Sequence, residues 1–240
     1  MKPKPGLKNT PLPFVFLNLA MSADGKIATA NRAVHSCGSA RDLEHLYELR
    51  ATADAILCGA RTVEETRATL GNGGDKFRRR RLKAGLAGFP LRVLVSGSAS
   101  MDPDAAIFQK RFSPIILLAG CHAPRRKLAR LAGCVDELKQ FGGRELDFRA
   151  ALEWLREEWN VKRLLCEGGG GVNDALFRAG LVDEIHLTIC PRIFGGRTAP
   201  TLADGLGFSR LADAALFELT SCRRIKDELF TVFSRSKLTH

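Results

Sequence analysis

Short apolar runs separated by amphipathic stretches dominate this chain. FVFLNLA (14–20) reads as a first strand, Ala53 to Cys58 as a second ended by Gly59, and RVLVS (92–96) and IILLA (115–119) as further buried strands. Between them, Ser39-Ala-Arg-Asp42 has the form of a capping box opening a helix with Leu43, Leu46 and Leu49 on one side. Pro124 to Ala132 suits a helix with proline in its first turn. Asp147 to Trp159 carries Phe148, Ala151, Leu152 and Leu155 at helical spacing and leads into a strand at Arg163 to Cys166. Four glycines, Gly168 to Gly171, then open a short helix that Gly180 should end. Strand and helix alternating in this way predict βαβ units and an α/β fold with a mostly parallel sheet.

The pattern changes after Gly180. Glu184 to Cys190 alternates as a strand, and Phe217 to Ile225 and Glu228 to Arg235 follow, separated only by Lys226 and Asp227. That spacing predicts a C-terminal antiparallel hairpin on the sheet. Gly71 to Gly88, rich in glycine and charge, reads as a mobile surface loop, and residues 1–13, with lysines and prolines but no signal-like apolar region, as a flexible N-terminal extension.

Composition narrows the function classes. With 45% hydrophobic and 26% charged residues the 240-residue chain is an ordinary globular sequence, and no run approaches the roughly 18 apolar residues of a membrane helix. A cytoplasmic protein is expected. Seven scattered cysteines without a Cys-x-x-Cys motif suggest reduced core thiols and no metal. The net charge of +11 raises the question of nucleic acid, but six of the positive charges lie between Lys76 and Lys83, with Phe77 as the one aromatic among them. A solvated loop and helix start, a nucleic-acid site and a site for cofactor or substrate phosphates are the readings of that run.

Ligands of open α/β sheets bind beyond the carboxyl ends of strands. Three such ends carry candidate chemistry. LLCEGGGGVN (164–173) places Glu167 and four glycines before a helix, so backbone amides can approach a pyrophosphate. A tight strand-to-helix turn explains the same glycines. NLAMSADGKI (18–27) brings Asp24, Gly25 and Lys26 to a second end, and GARTV (59–63) brings a helix beginning near Thr62 to a third. An Asp-Gly turn, a solvated lysine and an N-cap threonine are the ordinary readings of those residues. The histidines are scattered, and a hydrogen-bonded His186 within its strand is the one structural role expected.

The segments NLAMSADGKIA (18–28), ELRATADAILCGARTV (48–63), PLRVLVSGS (90–98), LLCEGGGGVNDALFRAGLVDEIHLTICPRIFGG (164–196) and PTLADG (200–205) together resemble the pyrimidine-reductase domain family of riboflavin biosynthesis. The resemblance implies a dihydrofolate-reductase-like three-layer fold over residues 14–236, NADPH as cofactor, a homodimer, and reduction of the ribosylamino sugar of a pyrimidine 5′-phosphate to its ribityl form. With no His-x-Glu and Pro-Cys-x-x-Cys signature present, a stand-alone reductase without the deaminase domain is expected. Carried over by position, the resemblance implies cofactor contacts at Ala20, Thr62, Ser96, Gly97, Gly168, Gly169, Gly170, Gly171, Val172 and Asn173. It implies substrate contacts at Asp24, Lys26, Arg50 and Glu167, with Lys26 and Glu167 as proton-handling groups. One departure stands out. Where the family follows Gly-x-x-Thr-Val with Asp-Asp-Pro, this chain has Thr66 and Arg67, with Glu64 and Glu65 as the nearest acids. A changed substrate such as a pterin or another small carbonyl or imine compound is therefore an alternative, and a non-catalytic nucleotide- or RNA-binding protein a second.

Overall fold

The computed structural model describes residues 11–33, 37–143 and 145–236, so most of the expected N-terminal extension lies outside the described residues. In chain order the elements are β1 (Phe14–Ser22), α1 (Ala40–Arg50), β2 (Ala55–Gly59), α2 (Ala60–Thr66), α3 (Asp75–Lys83), β3 (Leu91–Ser96), α4 (Ala106–Gln109), β4 (Ile115–Gly120), α5 (Arg125–Ala132), β5 (Glu137–Phe141), α6 (Phe148–Glu158), β6 (Arg163–Cys166), α7 (Gly170–Arg178), β7 (Glu184–Cys190), β8 (Phe217–Ile225) and β9 (Glu228–Arg235). The strands form one nine-stranded sheet in the order β5-β4-β3-β2-β6-β1-β7-β9-β8. Strands β1 to β7 run parallel, and the β8–β9 hairpin adds antiparallel to β7 at the expected residues.

Both faces of the sheet are covered, which is why the central strands read as continuous apolar runs. On one face Leu17, Leu57, Val93 and Ile116 pack beneath Leu152 and Leu155 of α6 and Leu176 and Phe177 of α7. On the other, Ile56, Cys58, Leu94 and Leu117 meet Val63 of α2 and Leu131 of α5, while Phe16 and Leu165 meet Leu49 of α1. Each fully buried leucine of these layers contributes roughly 1.5–3 kcal/mol. Among the described residues no helix is long and apolar enough to cross a membrane.

Three expectations need correction, and one strand, β5, was not foreseen. Gly71 to Gly88 is not a loop: it contains α3, whose Phe77 ring packs 5.5 Å from Tyr47 and whose Arg81 is 1% exposed. Arg81 donates to the carbonyls of Arg50, Ala53 and Ala87 at 2.5, 2.6 and 2.7 Å, so a run read as solvated charge ties down the end of α1. Burial pulls its pKa down to about 10, which leaves it charged at neutral pH. Strand β5, too polar to stand out in sequence, closes the β4 edge of the sheet. Helix α2 starts at Ala60 with Gly59 as N-cap, so Thr62 lies within the helix rather than capping it.

The capping box over Ser39 is only half made. Ser39 Oγ accepts from the Arg41 and Asp42 amides, but the Ser39 amide donates to Glu228 of β9 at 2.7 Å instead of to Asp42. Asp42 turns inward while Leu43 is exposed, so the buried side of α1 carries Asp42, Leu46, Leu49 and Arg50. Burial, opposed by a hydrogen bond from Thr188 and reinforced by the nearby Glu228 carboxylate, raises the Asp42 pKa above its ordinary value. The folded state therefore binds this proton more tightly than the unfolded chain does. Its cost is absent below about pH 4, grows as pH rises through the folded pKa, and stays constant above it. Asp42→Asn is expected to raise Tm at pH 7 and to leave it unchanged near pH 4; thermal melts at the two pH values check this, and equal shifts at both would assign the effect to packing.

Candidate active site

The connection after β2 runs toward β3 and that after β6 toward β7, so these adjacent strands diverge and open a crevice at their carboxyl ends. The Gly59 amide donates to the Gly168 carbonyl at 3.1 Å and the Glu167 amide to the Leu57 carbonyl at 2.9 Å, extending the ladder to the lip of the crevice. There the glycines bring two helix starts together. Gly169 sits at φ +91°, a conformation L side chains rarely adopt, and a Cβ on it would lie 2.5 Å from Thr62 Oγ1. Helix α7 starts at Gly170, and its first amides, those of Gly170 and Gly171, have no acceptor within the helix.

The four glycines are not equivalent. A Cβ on Gly168 or Gly170 would collide with Asn173 or Asp204, so internal packing demands both. Gly171 is exposed, with nothing nearer to a Cβ than 3.6 Å, and is the position where a ligand can reach the backbone. Val172 lies beside Gly59. Asn173 is fully buried: its Nδ2 donates to the Leu202 carbonyl at 2.8 Å and its Oδ1 accepts from Cys166. Its side chain ties the 200–205 loop to α7 rather than reaching into the crevice.

Arg50 and Glu167, 117 residues apart, form a bidentate pair at 2.6 Å through Nε and Nη2, and Arg50 Nη1 donates to the Gly71 carbonyl at 2.7 Å. Their side chains are 9% and 11% exposed. Burial pulls the Arg50 pKa down and the Glu167 carboxylate more than restores it, leaving it above its ordinary value. Both Glu167 oxygens are occupied by this pair. The ion pair pins the end of α1 to the residue that precedes the glycine turn.

Asp24 is likewise held by its own chain. It accepts from Ser22 Oγ at 2.5 Å and from the Phe194 and Gly195 amides at 3.1 and 2.7 Å, and these bonds, led by Ser22, lower its pKa to about 2. The β1 turn is thereby clamped to the segment after β7. Lys26 stands on that clamped turn: its amide donates to Ser22 Oγ at 3.0 Å and it bridges to Thr201. Its Nζ contacts only a neutral carbonyl, that of Ala199 at 3.4 Å, among the described residues. Segments 18–28, 164–174 and 200–205 thus converge, with the Asp204 amide donating to Gly170 at 2.9 Å.

Ala20 lies half-buried at the β1 end, and Ser96 and Gly97 at the β3 end, where Ser96 Oγ accepts from the Ser100 amide. Thr66 donates back to the Thr62 carbonyl, and Arg67 ends α2 in the left-handed region at φ +54°. Glu64 accepts from the Asp102 amide at 2.7 Å and Glu65 pairs with Arg32 at 3.5 Å. Both acids are thus engaged by other parts of the chain. Among the described residues no group of three or more His, Cys, Asp or Glu side chains converges as a metal site.

Sequence reasoning missed Asn18 and Asp174. Asn18 is 8% exposed, its Oδ1 has no partner, and it faces the same side of the sheet as the neighbouring His186 of β7. His186 does bond to Glu184 at 2.7 Å, while its Nδ1 has no hydrogen-bond partner. Asp174, 4% exposed, accepts from Arg178 and from the Gly207 amide. A polar residue inside an otherwise apolar strand, as Asn18 is, was the available signal.

A doubly covered, mostly parallel sheet with a glycine-lined crevice at a switch in strand direction defines an α/β domain with a ligand crevice at its strand carboxyl ends. The RibD C-terminal domain family matches residues 13–231, and the chain belongs to that family. It is 34% identical over 224 residues to the 2,5-diamino-6-ribosylamino-4(3H)-pyrimidinone 5′-phosphate reductase of Methanothermobacter thermautotrophicus, covering 92% of this chain and 98% of that one. The protein of the same name from Archaeoglobus fulgidus is 34% identical over 82% of this chain and 88% of its own. In fold, a pyrimidine reductase-like protein from Corynebacterium diphtheriae matches with a TM-score of 0.76 at 21% identity, covering 94% of this chain and 92% of its own. Acinetobacter baumannii RibD matches at 0.75 and 19% identity; 94% of this chain aligns with 58% of that one.

Proposed function

We propose that the chain is a cytoplasmic, NADPH-dependent reductase of riboflavin biosynthesis that converts the ribosylamino group of 2,5-diamino-6-ribosylamino-4(3H)-pyrimidinone 5′-phosphate to ribitylamino. The observation that carries the reading is the convergence of the Lys26 turn, the Gly168–Gly171 turn and the 200–205 loop on one crevice. The exposed Gly171 backbone and the acceptor-free amides at the start of α7 suit a pyrophosphate. Ala20, Thr62, Ser96, Gly97 and Val172 are the further cofactor contacts. The nicotinamide supplies a hydride.

In the reduction a C–H bond forms at the anomeric carbon, the bond from that carbon to the ring oxygen breaks, and the ring oxygen gains a proton. Lys26, whose ammonium is not paired with a carboxylate, is the proton donor in this reading. Arg50 and Glu167 act by holding the crevice in shape, and Asp24 by fixing the Lys26 turn. Leu219 of the edge strand β8 is exposed, as are Leu206, Leu211 and Leu216 in the segment that precedes it, and a second copy of the chain is their proposed cover. Titration with NADPH, followed by NADPH oxidation on addition of the ribosylaminopyrimidine phosphate, tests the reading. Turnover supports it. Binding with turnover only on a pterin or another imine would move the substrate, as Thr66 and Arg67 in place of the acidic pair suggest, and no cofactor binding would remove it.

A further inference from the structure

Cys37 and Cys190, far apart in the chain, meet where the start of α1 docks on the end of β7. Two tethers bring them together. Ser39, two residues after Cys37, binds Glu228 through its amide and its Oγ at 2.7 and 2.6 Å. Glu228 precedes Leu229, the β9 partner of Ile189, and Cys190 follows Ile189. In the first turn of α1, Asp42 accepts from Thr188, which stands two residues before Cys190 and therefore on the same face of β7. Held by these contacts, the Cys190 thiol donates a hydrogen bond to the Cys37 sulfur. Both cysteines are buried.

The two sulfurs are not equivalent. The bond from Cys190, helped by the Arg192 guanidinium, outweighs burial and the Asp42 carboxylate and draws the Cys37 thiol below its ordinary pKa. The same bond and burial push the Cys190 thiol up. Cys37 ionises first while Cys190 keeps its proton, which is the arrangement of an attacking thiol and a resolving one. The other two buried thiols cannot pair in this way. Cys58 and Cys166 lie on adjacent strands, yet Cys58 packs in the core layer on one face of the sheet and Cys166 in the layer on the other. Burial pushes both up, Cys166 to about 12.

We propose that Cys37 and Cys190 form a reversible disulfide when the chain meets hydrogen peroxide. The Cys37 thiolate attacks one peroxide oxygen, the O–O bond breaks, and Cys37 becomes a sulfenic acid; the hydroxide released takes up the proton that Cys37 gave up and leaves as water. The Cys190 sulfur then attacks Cys37. An S–S bond forms, the S–O bond breaks, and hydroxide leaves with the Cys190 proton as a second water. The two thiols lose two electrons and the peroxide gains them. The bridge ties the residues before α1 to the end of β7, from which the Lys26 turn is held: the Arg192 carbonyl accepts from the Ala23 amide at 2.8 Å, and the Phe194 and Gly195 amides hold Asp24. None of this depends on which substrate or cofactor the crevice takes.

In the test, the full chain is reduced, freed of reductant, treated with equimolar hydrogen peroxide, unfolded, alkylated with N-ethylmaleimide and mapped by mass spectrometry. Expected are peptides containing Cys37 and Cys190 joined by a bond that dithiothreitol cleaves, and loss of alkylation at both positions. The thermal midpoint should rise by roughly 5 °C over that of the reduced chain, because closing a long loop constrains the unfolded state. In Cys190→Ser the reaction should stop at Cys37, where dimedone traps the sulfenic acid, and in Cys37→Ser position 190 has no partner and no bridge forms. Full alkylation of Cys37 and Cys190 in the peroxide-treated unaltered chain overturns the pair. A bridge from either of them to exposed Cys121 or Cys222 in place of the expected one overturns it equally.

Discussion

Replacing Arg50 with methionine is expected to lower stability by about 3–5 kcal/mol, because Glu167 would remain buried without its bidentate partner. The Gly71 carbonyl would lose its donor as well, loosening the segment that leads into α3. A double variant, Arg50→Met with Glu167→Leu, should recover most of that loss, since no charge is then left uncompensated in the interior. It should not recover activity, because the glycine turn loses its tether to α1. Urea denaturation of the three variants reads out stability, and NADPH oxidation the activity. If Arg50→Met unfolds at the midpoint of the unaltered protein, the pair is not structural and Glu167 returns as a proton-handling candidate.

Lys26→Ala is expected to reduce kcat by roughly 10²- to 10⁴-fold, the range for removing a positioned proton donor. NADPH affinity should stay close to that of the unaltered chain, because the crevice amides lie on α7 rather than on the Lys26 turn. The turn itself should persist, held by the Lys26 amide to Ser22 and by Asp24 to Phe194 and Gly195, none of which needs the lysine side chain. Single-turnover kinetics with bound NADPH separate the chemical step from substrate binding. A variant that raises KM and leaves kcat alone would make Lys26 a phosphate-binding residue instead.

How legible the fold was depended on how strongly each element's own residues dictated it. Strands β1 to β4 and β6 are apolar runs because both faces of the sheet are covered, and they were found within about two residues. The hairpin at 217–235 was found with its turn, where Lys226 adopts φ +55°. Strand β5, ELKQF, has no such run, since it is an edge strand with much of its side-chain surface in water. Helix α3 was hidden for the opposite reason: its four arginines and two lysines look like solvated charge, yet Arg81 is drawn inward by three carbonyls.

At the site, local pattern located the three strand ends but not what their residues do there. That Glu167 closes strand β6, that glycines open α7 and that Asp24 and Lys26 occupy a turn were all readable from a few adjacent residues. The partner of Glu167 is 117 positions away, and nothing near either residue says that the two charges neutralise each other. Asn173 belongs to the glycine loop in sequence, and in the fold its buried side chain meets Leu202 only when the 200–205 loop returns. The same holds for the Ser39 amide, whose partner Glu228 comes from the far end of the chain.

By itself, then, the sequence determined the alternation of strands and helices, the hairpin, the glycine turn that opens α7 and the family likeness, all set by hydrophobic period, turn chemistry and short motifs. Only the tertiary structure decided which charges stand free and which are spent on each other. A buried ion pair and a carbonyl-bound arginine both depend on distance in space, and chain order does not encode that distance locally.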